Sequence, residues 1–403
     1  MPATFAYLFE RFPSFVQTFV YREAAEMVRQ GAEPWLVSIR RPDDELSEPL
    51  DAPVFYLPEE KALRDEVDAR RAARKVPWRA RRAIPRHRNE ADSQRMFEAI
   101  WLEPELKARG VRHVHAHFGG MAARTAWWLR KLFGFTYSYT GHANDIFCET
   151  EYPVSNAELA RRARFVVTET DYARGWMERR HPFAKGKVFR VFNGIEPAGF
   201  PPREAESEVP RIVSVGRYVE KKGFDVLIEA CAKLRRRGVA FTCEIIGGGP
   251  MHEALARMIE LRELEDFVTL VGPRTQPEVR RALAGAQLFV LACRQDSEGG
   301  SDNLPTVIAE AMFAGVPCIS TKIAGVPEMI ADGRTGVLVP ARDAFSLAAA
   351  MERLLGDRLL AAKLGANGRD FARERFTIER SVAELRRLLR ERAGVGRRGW
   401  WPW

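Results

Sequence analysis

The chain of 403 residues is too long for one ordinary hydrophobic core, and two domains of roughly 200 residues each are expected. Its 63 lysines and arginines against 54 acids leave a net charge of +9, which favours an anionic partner without choosing among nucleic acid, a lipid surface and a phosphorylated small molecule. The five cysteines are an odd number without a Cys-x-x-Cys pair, which favours a reducing cytosol over a disulfide scaffold.

No stretch of the sequence has the features of a membrane element. The first residues, MPATFAYLFERF, lack the basic and long apolar segments of a signal peptide. The longest apolar run, ALAGAQLFVLAC, is too short to span a bilayer. We therefore expect a protein that is not integral to a membrane.

Short apolar runs rich in β-branched and aromatic residues alternate with helical stretches along the whole chain. They predict strands at 5–9, 34–39, 113–118, 136–140, 164–168 and 187–192, then at 211–216, 241–247, 267–272, 287–293, 316–321 and 335–340. Strands that alternate with amphipathic helices are typical of parallel, doubly wound sheets. We therefore predict an α/β fold of two Rossmann-like domains that face each other across a cleft, at the carboxyl ends of both sheets.

The two series of strands are separated by EPAGFPPREAESEVPR, whose prolines and charges are typical of an interdomain linker. We place an amino-terminal domain at 1–196, the linker at 197–210, a carboxyl-terminal domain at 211–377 and a tail at 395–403. In the second series, FDVLIEACAKLRRRG predicts a helix that Gly238 ends. Its apolar stripe consists of Phe224, Leu227, Ile228, Cys231 and Leu234.

Two basic regions could meet an anionic membrane surface. Residues 61–95 carry twelve lysines or arginines against five acids, with Trp78 among them. The tail at 395–403, VGRRGWWPW, sets three tryptophans beside two arginines. A solvated helical face and a disordered tail are the alternatives to a membrane contact.

A strand, a cationic turn and a helix meet in VSVGRYVEKKGFDVLIEA. The strand ends at Gly216, Arg217 follows, and Lys222 with Gly223 comes just before the helix. Two cations and a helix amino terminus in one place form an anion site, whereas two surface cations in a loop are the alternative. The later CEIIGGGP lets the backbone near Gly248 approach a ligand, but no G-x-G-x-x-G dinucleotide fingerprint follows any predicted strand.

Histidines end two predicted strands of the first series. HVHAHFGG places His113, His115 and His117 on one face, where they could ligate zinc, although the sequence identifies no further ligands. His117, with Gly119 just after it, is nearest the strand end and is the one we expect to line the cleft. TYSYTGHANDIF presents His142 after the next strand, where it could exchange a proton near neutral pH or be an ordinary loop histidine.

The run SDNLPTVIAEAMFAG holds two acids, Asp302 and Glu310, among uncharged residues. Pro305 and Gly315 bound a predicted helix, so Asp302 lies in the preceding loop and Glu310 on the helix. A carboxylate that is buried and unpaired costs several kcal/mol, so each acid needs solvent, a partner or a ligand. Glu298 in DSEGG competes with Asp302 for a role at the cleft.

Together these segments resemble the retaining, nucleotide-sugar-dependent glycosyltransferases of the GT-B type, family 4. The similarity covers nearly the whole chain, because HAHFG, TGHANDI, FNGIE, VGRYVEKKG, IIGGGP and the acid-x7-acid run occur in the family's order. The start, YLFERFPSFVQTFVYRE, is similar to the subgroup that builds exopolysaccharides such as colanic acid, although Val16 and Gln17 replace its usual Ser-Glu. The resemblance also implies that the helix at 378–394 returns to the amino-terminal domain.

The resemblance implies roles for residues of both domains. It puts Arg217 and Lys222 on the donor diphosphate and Glu310 on the nucleotide ribose. Asp302 stands where the family has its first glutamate, on the transferred sugar, and His142 would lie beside the sugar and acceptor. The other implied donor-side residues are Gly216, Gly248, Asn303, Leu304, Thr306 and Val307, and the acceptor-side residues are His117, Gly119 and His142.

The resemblance therefore implies a hexosyltransferase that moves a sugar from a nucleoside-diphosphate sugar to a polyprenyl-diphosphate-linked or glycan acceptor in cell-surface polysaccharide synthesis. It implies retention of anomeric configuration, no metal, no cofactor and no nucleic-acid partner. The expected location is the cytoplasm, with a peripheral position on the inner face of the plasma membrane as an option. A sugar-nucleotide epimerase of the same architecture and a non-catalytic anion- or membrane-binding protein stay open as alternatives.

Overall fold

The computed structural model describes residues 5–14, 18–42, 50–148, 152–204 and 207–396. The contacts among them define two compact units. Unit 1 comprises the described residues within Met1–Glu169, Ala173–Gly194 and Ile378–Trp403, and unit 2 those within Thr170–Tyr172 and Ile195–Thr377. Val16, Gln17 and residues 397–403 of the basic tail lie outside the described residues.

Each unit is built on one parallel β-sheet. The strands are β1 (Ala6–Arg11), β2 (Trp35–Arg40), β3 (Val54–Tyr56), β4 (His113–His117), β5 (Thr136–Gly141), β6 (Val166–Thr168), β7 (Val188–Arg190), β8 (Arg211–Val215), β9 (Thr242–Ile246), β10 (Val268–Gly272), β11 (Leu288–Leu291), β12 (Cys318–Thr321) and β13 (Val337–Val339). The sheet of unit 1 has the order β3-β2-β1-β4-β5-β6-β7, and that of unit 2 has the order β10-β9-β8-β11-β12-β13.

Helices connect these strands, as the crossover between parallel strands requires. They are α1 (Thr18–Arg29), α2 (Glu60–Ala72), α3 (Trp78–His87), α4 (Ser93–Ala108), α5 (Met121–Phe133), α6 (Ala143–Phe147), α7 (Asn156–Arg162), α8 (Asp171–Arg180), α9 (Phe224–Arg236), α10 (His252–Leu261), α11 (Gln276–Ala284), α12 (Thr306–Phe313), α13 (Val326–Met329), α14 (Ala344–Gly356), α15 (Arg358–Arg375) and α16 (Ile378–Ala393). None of the described helices combines the length and apolar character needed to cross a bilayer.

Both sheets follow the Rossmann strand order, with the chain starting in the middle and reversing direction once. The reversal lies between β1 and β4 in unit 1 and between β8 and β11 in unit 2. In open α/β sheets, ligands bind at the carboxyl ends of the strands at such a reversal. The loops that follow these four strands are therefore the first places to look for a site.

The predicted helix after β8 forms as its pattern requires. The five residues of its apolar stripe, Phe224, Leu227, Ile228, Cys231 and Leu234, are all buried. Three basic residues lie in its last turn, where they favour the negative end of the helix dipole. Gly238 follows at φ +72°, a left-handed conformation that suits a residue just beyond a helix end.

One strand, β3, escaped the sequence prediction. It has only three residues, it lies at the edge of the sheet, and all three are partly exposed. By contrast, α12 ends before Gly315 as predicted. Gly315 has φ +72°. Pro305 is the residue before the helix and not part of its first turn.

Unit 1 has apolar layers on both faces of its sheet. On one face, the buried residues of α16 join those of β1 and α1; Phe9, Val20, Val382, Leu385 and Leu389 belong to this layer. On the other face, α4 and α5 contribute most of the helical layer. The helix α16 is thus part of unit 1.

Candidate functional site

The turn after β8 brings the backbones of two loops into contact. Gly216 N–H donates to Ile246 O at 2.9 Å, and Tyr218 N–H donates to Gly248 O at 2.8 Å. Gly247 has φ +148°, and a Cβ atom there would lie 1.9 Å from Gly216 O. Because no side chain fits that gap, the approach of the two loops depends on glycine.

The start of α9 is held just as closely against the neighbouring strand. A 3₁₀ turn at Glu220–Lys222 leads into Gly223, which has φ +66°. A Cβ on Gly223 would lie 1.9 Å from the carbonyl oxygen of Ala292, which directly follows β11. The turn that carries Lys222 therefore lies directly beside the loop after β11.

This packing joins two of the predicted site residues. Lys222 Nζ lies 2.5 Å from Asp302 Oδ2, and Lys221 Nζ lies 3.7 Å from Asp302 Oδ1. Burial disfavours the charged ammonium, but the Asp302 carboxylate outweighs this effect and raises the pKa of Lys222 above its ordinary value. The lysine is thus a fixed cation whose charge is balanced by Asp302.

The thiol of Cys293 completes the surroundings of Asp302. Cys293 Sγ lies 4.0 Å from Asp302 Oδ2 and can donate a weak hydrogen bond to it. Burial, together with the negative charge of Asp302, raises the pKa of Cys293, so this thiol stays protonated. It contributes to the site as a small neutral group.

Arg294 ties the two loops together. Its guanidinium contacts Glu220 Oε1 at 2.7 Å and Asp225 Oδ2 at 3.0 Å. In the backbone, Arg294 N–H donates to Lys221 O at 3.0 Å. The arginine therefore fixes both the 3₁₀ turn and the first turn of α9 relative to the loop after β11.

The remaining predicted cation and the competing acid are exposed. Arg217 follows β8 with its side chain in solvent, and its positive charge acts on Lys222, so the two cations are near each other. Glu298 lies in an exposed turn after β11. Of the two competing acids, Asp302 is the one that contacts Lys222.

The helix α12 begins beside this cluster. Thr306 and Val307 are its first two residues, and the first amides of a helix have no intrahelical acceptor. Glu310, predicted to face a cleft, is 5% exposed and therefore mostly buried. Leu304 and Asn303 are buried too, and Asn303 Oδ1 accepts a hydrogen bond from Thr170 Oγ1 at 2.5 Å within unit 2.

In unit 1, the histidines of β4 lie on one face of the sheet, as predicted, and two of them contact hydroxyls of β5. His113 and His115 share Ser138 Oγ at 2.9 and 2.7 Å, and His115 also contacts Thr140 Oγ1 at 3.1 Å. Burial lowers the pKa of His115 to about 3, so this ring is neutral. Within the described part of the chain, no group of three or more His, Cys, Asp or Glu side chains is arranged to hold a metal ion.

The third histidine of β4 belongs to a chain of buried hydrogen bonds. His117 Nε2 lies 3.2 Å from Glu23 Oε1, and His117 Nδ1 lies 3.1 Å from His142 Nε2. His142 Nδ1 in turn lies 2.7 Å from Glu169 Oε1. Since β4, β5 and β6 are neighbours, their carboxyl ends bring these three residues together, and α1 supplies Glu23.

The loops that carry the two histidines are tied by a third acid. Asp145 Oδ2 accepts a hydrogen bond from His142 N–H at 3.1 Å, and its carboxylate also accepts from Gly119 N–H. Phe118 lies between His117 and Gly119 at φ +69°, a left-handed conformation that is costly for an aromatic residue. The structure therefore brings the predicted acceptor-side residues together and stores strain beside them.

Solved structures of similar fold include glycosyltransferases. A glycosyltransferase from Rickettsia africae ESF-5 matches with a TM-score of 0.73 at 15% identity, covering 96% of this chain and 99% of that chain. Anabaena Alr3699/HepE in complex with UDP and glucose matches with a TM-score of 0.69 at 16% identity, covering 96% and 100%. At these identities the likeness establishes the fold, which is that of the GT-B glycosyltransferase class, as predicted.

The sequence comparisons give the family. Residues 199–371 match the family model of glycosyl transferases group 1. WcaL from Salmonella typhimurium, a provisionally assigned colanic acid biosynthesis glycosyltransferase, is 30% identical over 359 residues, which are 84% of this chain and 87% of that protein. The chain belongs to the glycosyl transferases group 1 family. The comparisons confirm the prediction that this protein is a glycosyltransferase, and not an epimerase or a non-catalytic protein.

Several residues of these two clusters were not singled out from the sequence, among them Arg294, Glu169, Asp145 and Glu23. Arg294 and Glu169 directly follow predicted strands, and Asp145 stands within TGHANDI, so their positions at strand ends were the available signal. Glu23 ends the quoted segment YLFERFPSFVQTFVYRE, but it does not follow a predicted strand. It lies on α1, and only the packing of that helix against the sheet brings its carboxylate to His117.

Proposed function

We propose that this protein is a retaining, metal-independent glycosyltransferase of family 4 that transfers a hexose from a nucleoside-diphosphate sugar. The observation that carries the proposal is the contact between Lys222 and Asp302 at the start of α9, inside the residues that match the family model. A cation held at a helix amino terminus beside glycine-rich loops is the arrangement that binds phosphate groups.

The donor diphosphate would compete with Asp302 for Lys222. Both are anions, and a diphosphate bound by Lys222 and Arg217 would release the carboxylate to hydroxyls of the transferred sugar. The departing nucleoside diphosphate gains negative charge in the transition state, and one contact to such charge is worth about 2.7–4 kcal/mol. The two cations would supply this stabilisation without a metal ion.

Other residues have narrower proposed roles on the donor side. Glu310, on α12, would accept hydrogen bonds from the nucleotide ribose. The amides of Thr306 and Val307, at the amino terminus of the same helix, would face a phosphate. The UDP bound to the structurally similar Alr3699/HepE supports a nucleoside diphosphate as the ligand class.

Thermal shift measurements with UDP-, GDP- and ADP-sugars test the donor site. We expect one nucleotide sugar to raise the melting temperature, equally with and without EDTA. Lys222→Ala should lose this shift, whereas Lys363→Ala, an exposed lysine of unit 2, should keep it. A shift retained by Lys222→Ala, or no shift with any donor, would contradict the donor site, and a shift abolished by EDTA would contradict metal independence.

We further propose a polyprenyl-diphosphate-linked or glycan acceptor and a position on the inner face of the plasma membrane. The relation to a protein of colanic acid biosynthesis supports an acceptor in surface polysaccharide synthesis.

NMR of the product tests retention. The anomeric configuration of the transferred sugar should be the same as in the donor, and inversion would contradict the assignment to a retaining mechanism.

Within the basic segment at 61–95, the membrane contact would be made by α3, because some of the other basic side chains are paired or buried. Arg88 is engaged by both oxygens of Asp68, at 3.0 and 2.7 Å, and Arg95 is buried. Trp78 is 57% exposed, and the guanidinium carbons of Arg79 and Arg82 lie 5.6 and 5.9 Å from its ring centroid. An exposed tryptophan beside cations suits the headgroup layer of an anionic bilayer.

Sedimentation with liposomes tests this contact. The double variant Arg79→Ala/Arg82→Ala should bind phosphatidylglycerol vesicles more weakly than the parent. Arg358→Ala/Arg373→Ala, which removes the same charge from α15, should bind as the parent does. Equal binding of all three proteins would remove the membrane role of α3.

A further inference from the structure

The chain Glu23–His117–His142–Glu169 contains three consecutive hydrogen bonds, and each needs one proton. The distances between the bonded atoms are 3.2, 3.1 and 2.7 Å. Two neutral imidazoles supply two N–H groups, and two ionised carboxylates supply none. With both carboxylates ionised, neutral rings would leave two nitrogen lone pairs facing each other between His117 and His142. A third proton is therefore required.

Each of the two carboxylates accepts hydrogen bonds from two donors. Glu23 Oε1 accepts from His117 and also from the hydroxyl of Tyr7. Glu169 Oε1 accepts from His142 and also from the amide of Asn193. Two donors on one carboxylate oxygen stabilise negative charge there. The third proton consequently belongs to the histidines.

The groups around the two rings agree with a single added proton. Burial disfavours an imidazolium at either position, but at His142 the Glu169 carboxylate outweighs it and raises the pKa. At His117 burial prevails and lowers the pKa. Asp145 and Glu23 add negative charge near His142. Tyr7 lies beside Glu23, and its pKa is raised by burial and by that acid, so it stays a neutral donor.

Their other neighbours add no competing charge. The ring of His115, next along β4, is neutral because burial lowers its pKa to about 3. The rings of His117 and His142 stack at 5.1 Å with an interplanar angle of 11°, and the rings of Phe19 and Phe118 lie 4.9 and 4.6 Å from His142. Aromatic packing of this kind fixes the ring positions and excludes water from the shared proton.

We infer that His117 and His142 share one imidazolium proton at neutral pH and that Glu23 and Glu169 are positioning residues that keep it there. The inference rests on the proposed function only in its consequence for catalysis. A protonated pair cannot act as a general base, and both ring nitrogens of His142 are engaged within the protein. The pair would therefore serve the reaction as a fixed positive charge. His142, which the sequence suggested could exchange a proton with a substrate, thus has both ring nitrogens bonded to other side chains.

NMR of the ligand-free enzyme labelled with ¹⁵N-histidine tests the shared proton without reference to activity. Ring nitrogens that carry a proton are distinguished from those that carry a lone pair, and His252 is an exposed internal reference. We expect the pair to hold its proton to a higher pH than His252 does. A pair that loses its proton at or below the pH at which His252 titrates would overturn the inference.

Two isosteric variants test the carboxylates. Glu169→Gln and Glu23→Gln each remove one charge and should lower the apparent pKa of the pair by about 1 to 3 units. Glu26→Gln, on the same helix as Glu23 but paired with Arg29 at 2.5 Å, should leave it unchanged. Circular dichroism identifies any variant that fails to fold, in which case the other variant decides. If both folded variants titrate as the parent does, the positioning role is refuted.

The pH profile of kcat/KM supplies the functional test. The shared proton is bound below the apparent pKa of the pair and lost as the pH rises through it, so activity should fall on the alkaline side. In Glu169→Gln this fall should begin at lower pH, while in Glu26→Gln it should not move. An unchanged alkaline limb with a shifted NMR titration would refute the catalytic consequence. The absence of any transfer would instead contradict the proposed function and leave the NMR result to decide the shared proton.

Discussion

Replacing Gly223 by alanine tests how closely the start of α9 must lie against the strand beside it. Gly223 has φ +66°, and a Cβ on it would lie 1.9 Å from the carbonyl oxygen of Ala292. Gly238, just beyond the other end of the same helix, is a matched control. Its φ is +72°, and a Cβ there would meet nothing within 4 Å.

The two substitutions share one cost and differ in another. Both place an alanine in the left-handed region, at about 1–2 kcal/mol, which lowers the melting temperature of a unit of this size by about 2–8 °C. Only Gly223→Ala also moves the backbone, because real Cβ contacts do not fall below 3.0 Å and the gap is 1.9 Å. A displacement of about 1 Å in a positioned catalytic group costs roughly 100-fold in rate.

Thermal melting and steady-state transfer kinetics separate these effects. Gly238→Ala should lower the melting temperature by the left-handed cost alone and keep kcat/KM near that of the parent. Gly223→Ala should melt at a lower temperature than Gly238→Ala and lose roughly 100-fold in kcat/KM, because Lys222 is the preceding residue. If the two variants are equally stable and equally active, the close packing does not position the site.

Three further outcomes follow from the same cluster. Asp302→Asn should lower kcat/KM about 10- to 100-fold, because it removes the carboxylate proposed to contact hydroxyls of the transferred sugar. Glu298→Gln should stay within about 2-fold, and the reverse order would favour the exposed acid. Arg294→Ala should raise KM for the donor, because Glu220 and Asp225 lose the cation that holds the turn in place. Arg235→Ala, at the far end of α9, should leave KM unchanged. Equal KM values for the two variants would contradict the role of Arg294 in fixing the turn. Mass spectrometry after iodoacetamide treatment at pH 7 should find Cys293 unmodified in the folded protein, since its thiol is buried and its pKa is raised, and rapid labelling would contradict that burial.

The alternation of apolar runs was enough to predict twelve strands and their division between two sheets. Every strand found in unit 2 corresponds to a predicted one, because buried parallel strands read as continuous apolar runs. The missed β3 is a short edge strand, and the prolines on both sides of its apolar run, VFYL, are also typical of a loop. The helix α12 was found from its boundaries, a proline before it and a glycine after it, more than from any periodicity.

The pairing of side chains could not be predicted in the same way. Lys222 and Asp302 lie in different loops, and their contact depends on β8 and β11 being neighbours, which the order of strands along the chain does not reveal. His142 was expected to present a ring nitrogen, yet both of its nitrogens are bonded to buried residues. One of those partners, Glu169, became visible only when β5 and β6 were found side by side.

The most direct test of the donor site is a crystal structure of the protein with the nucleoside diphosphate selected by the thermal shift measurements. We predict that phosphate oxygens lie within about 3.2 Å of Lys222 Nζ, with Arg217 turned towards them and Asp302 released from the lysine. A diphosphate bound elsewhere, with the contact between Lys222 and Asp302 unchanged, would contradict the account.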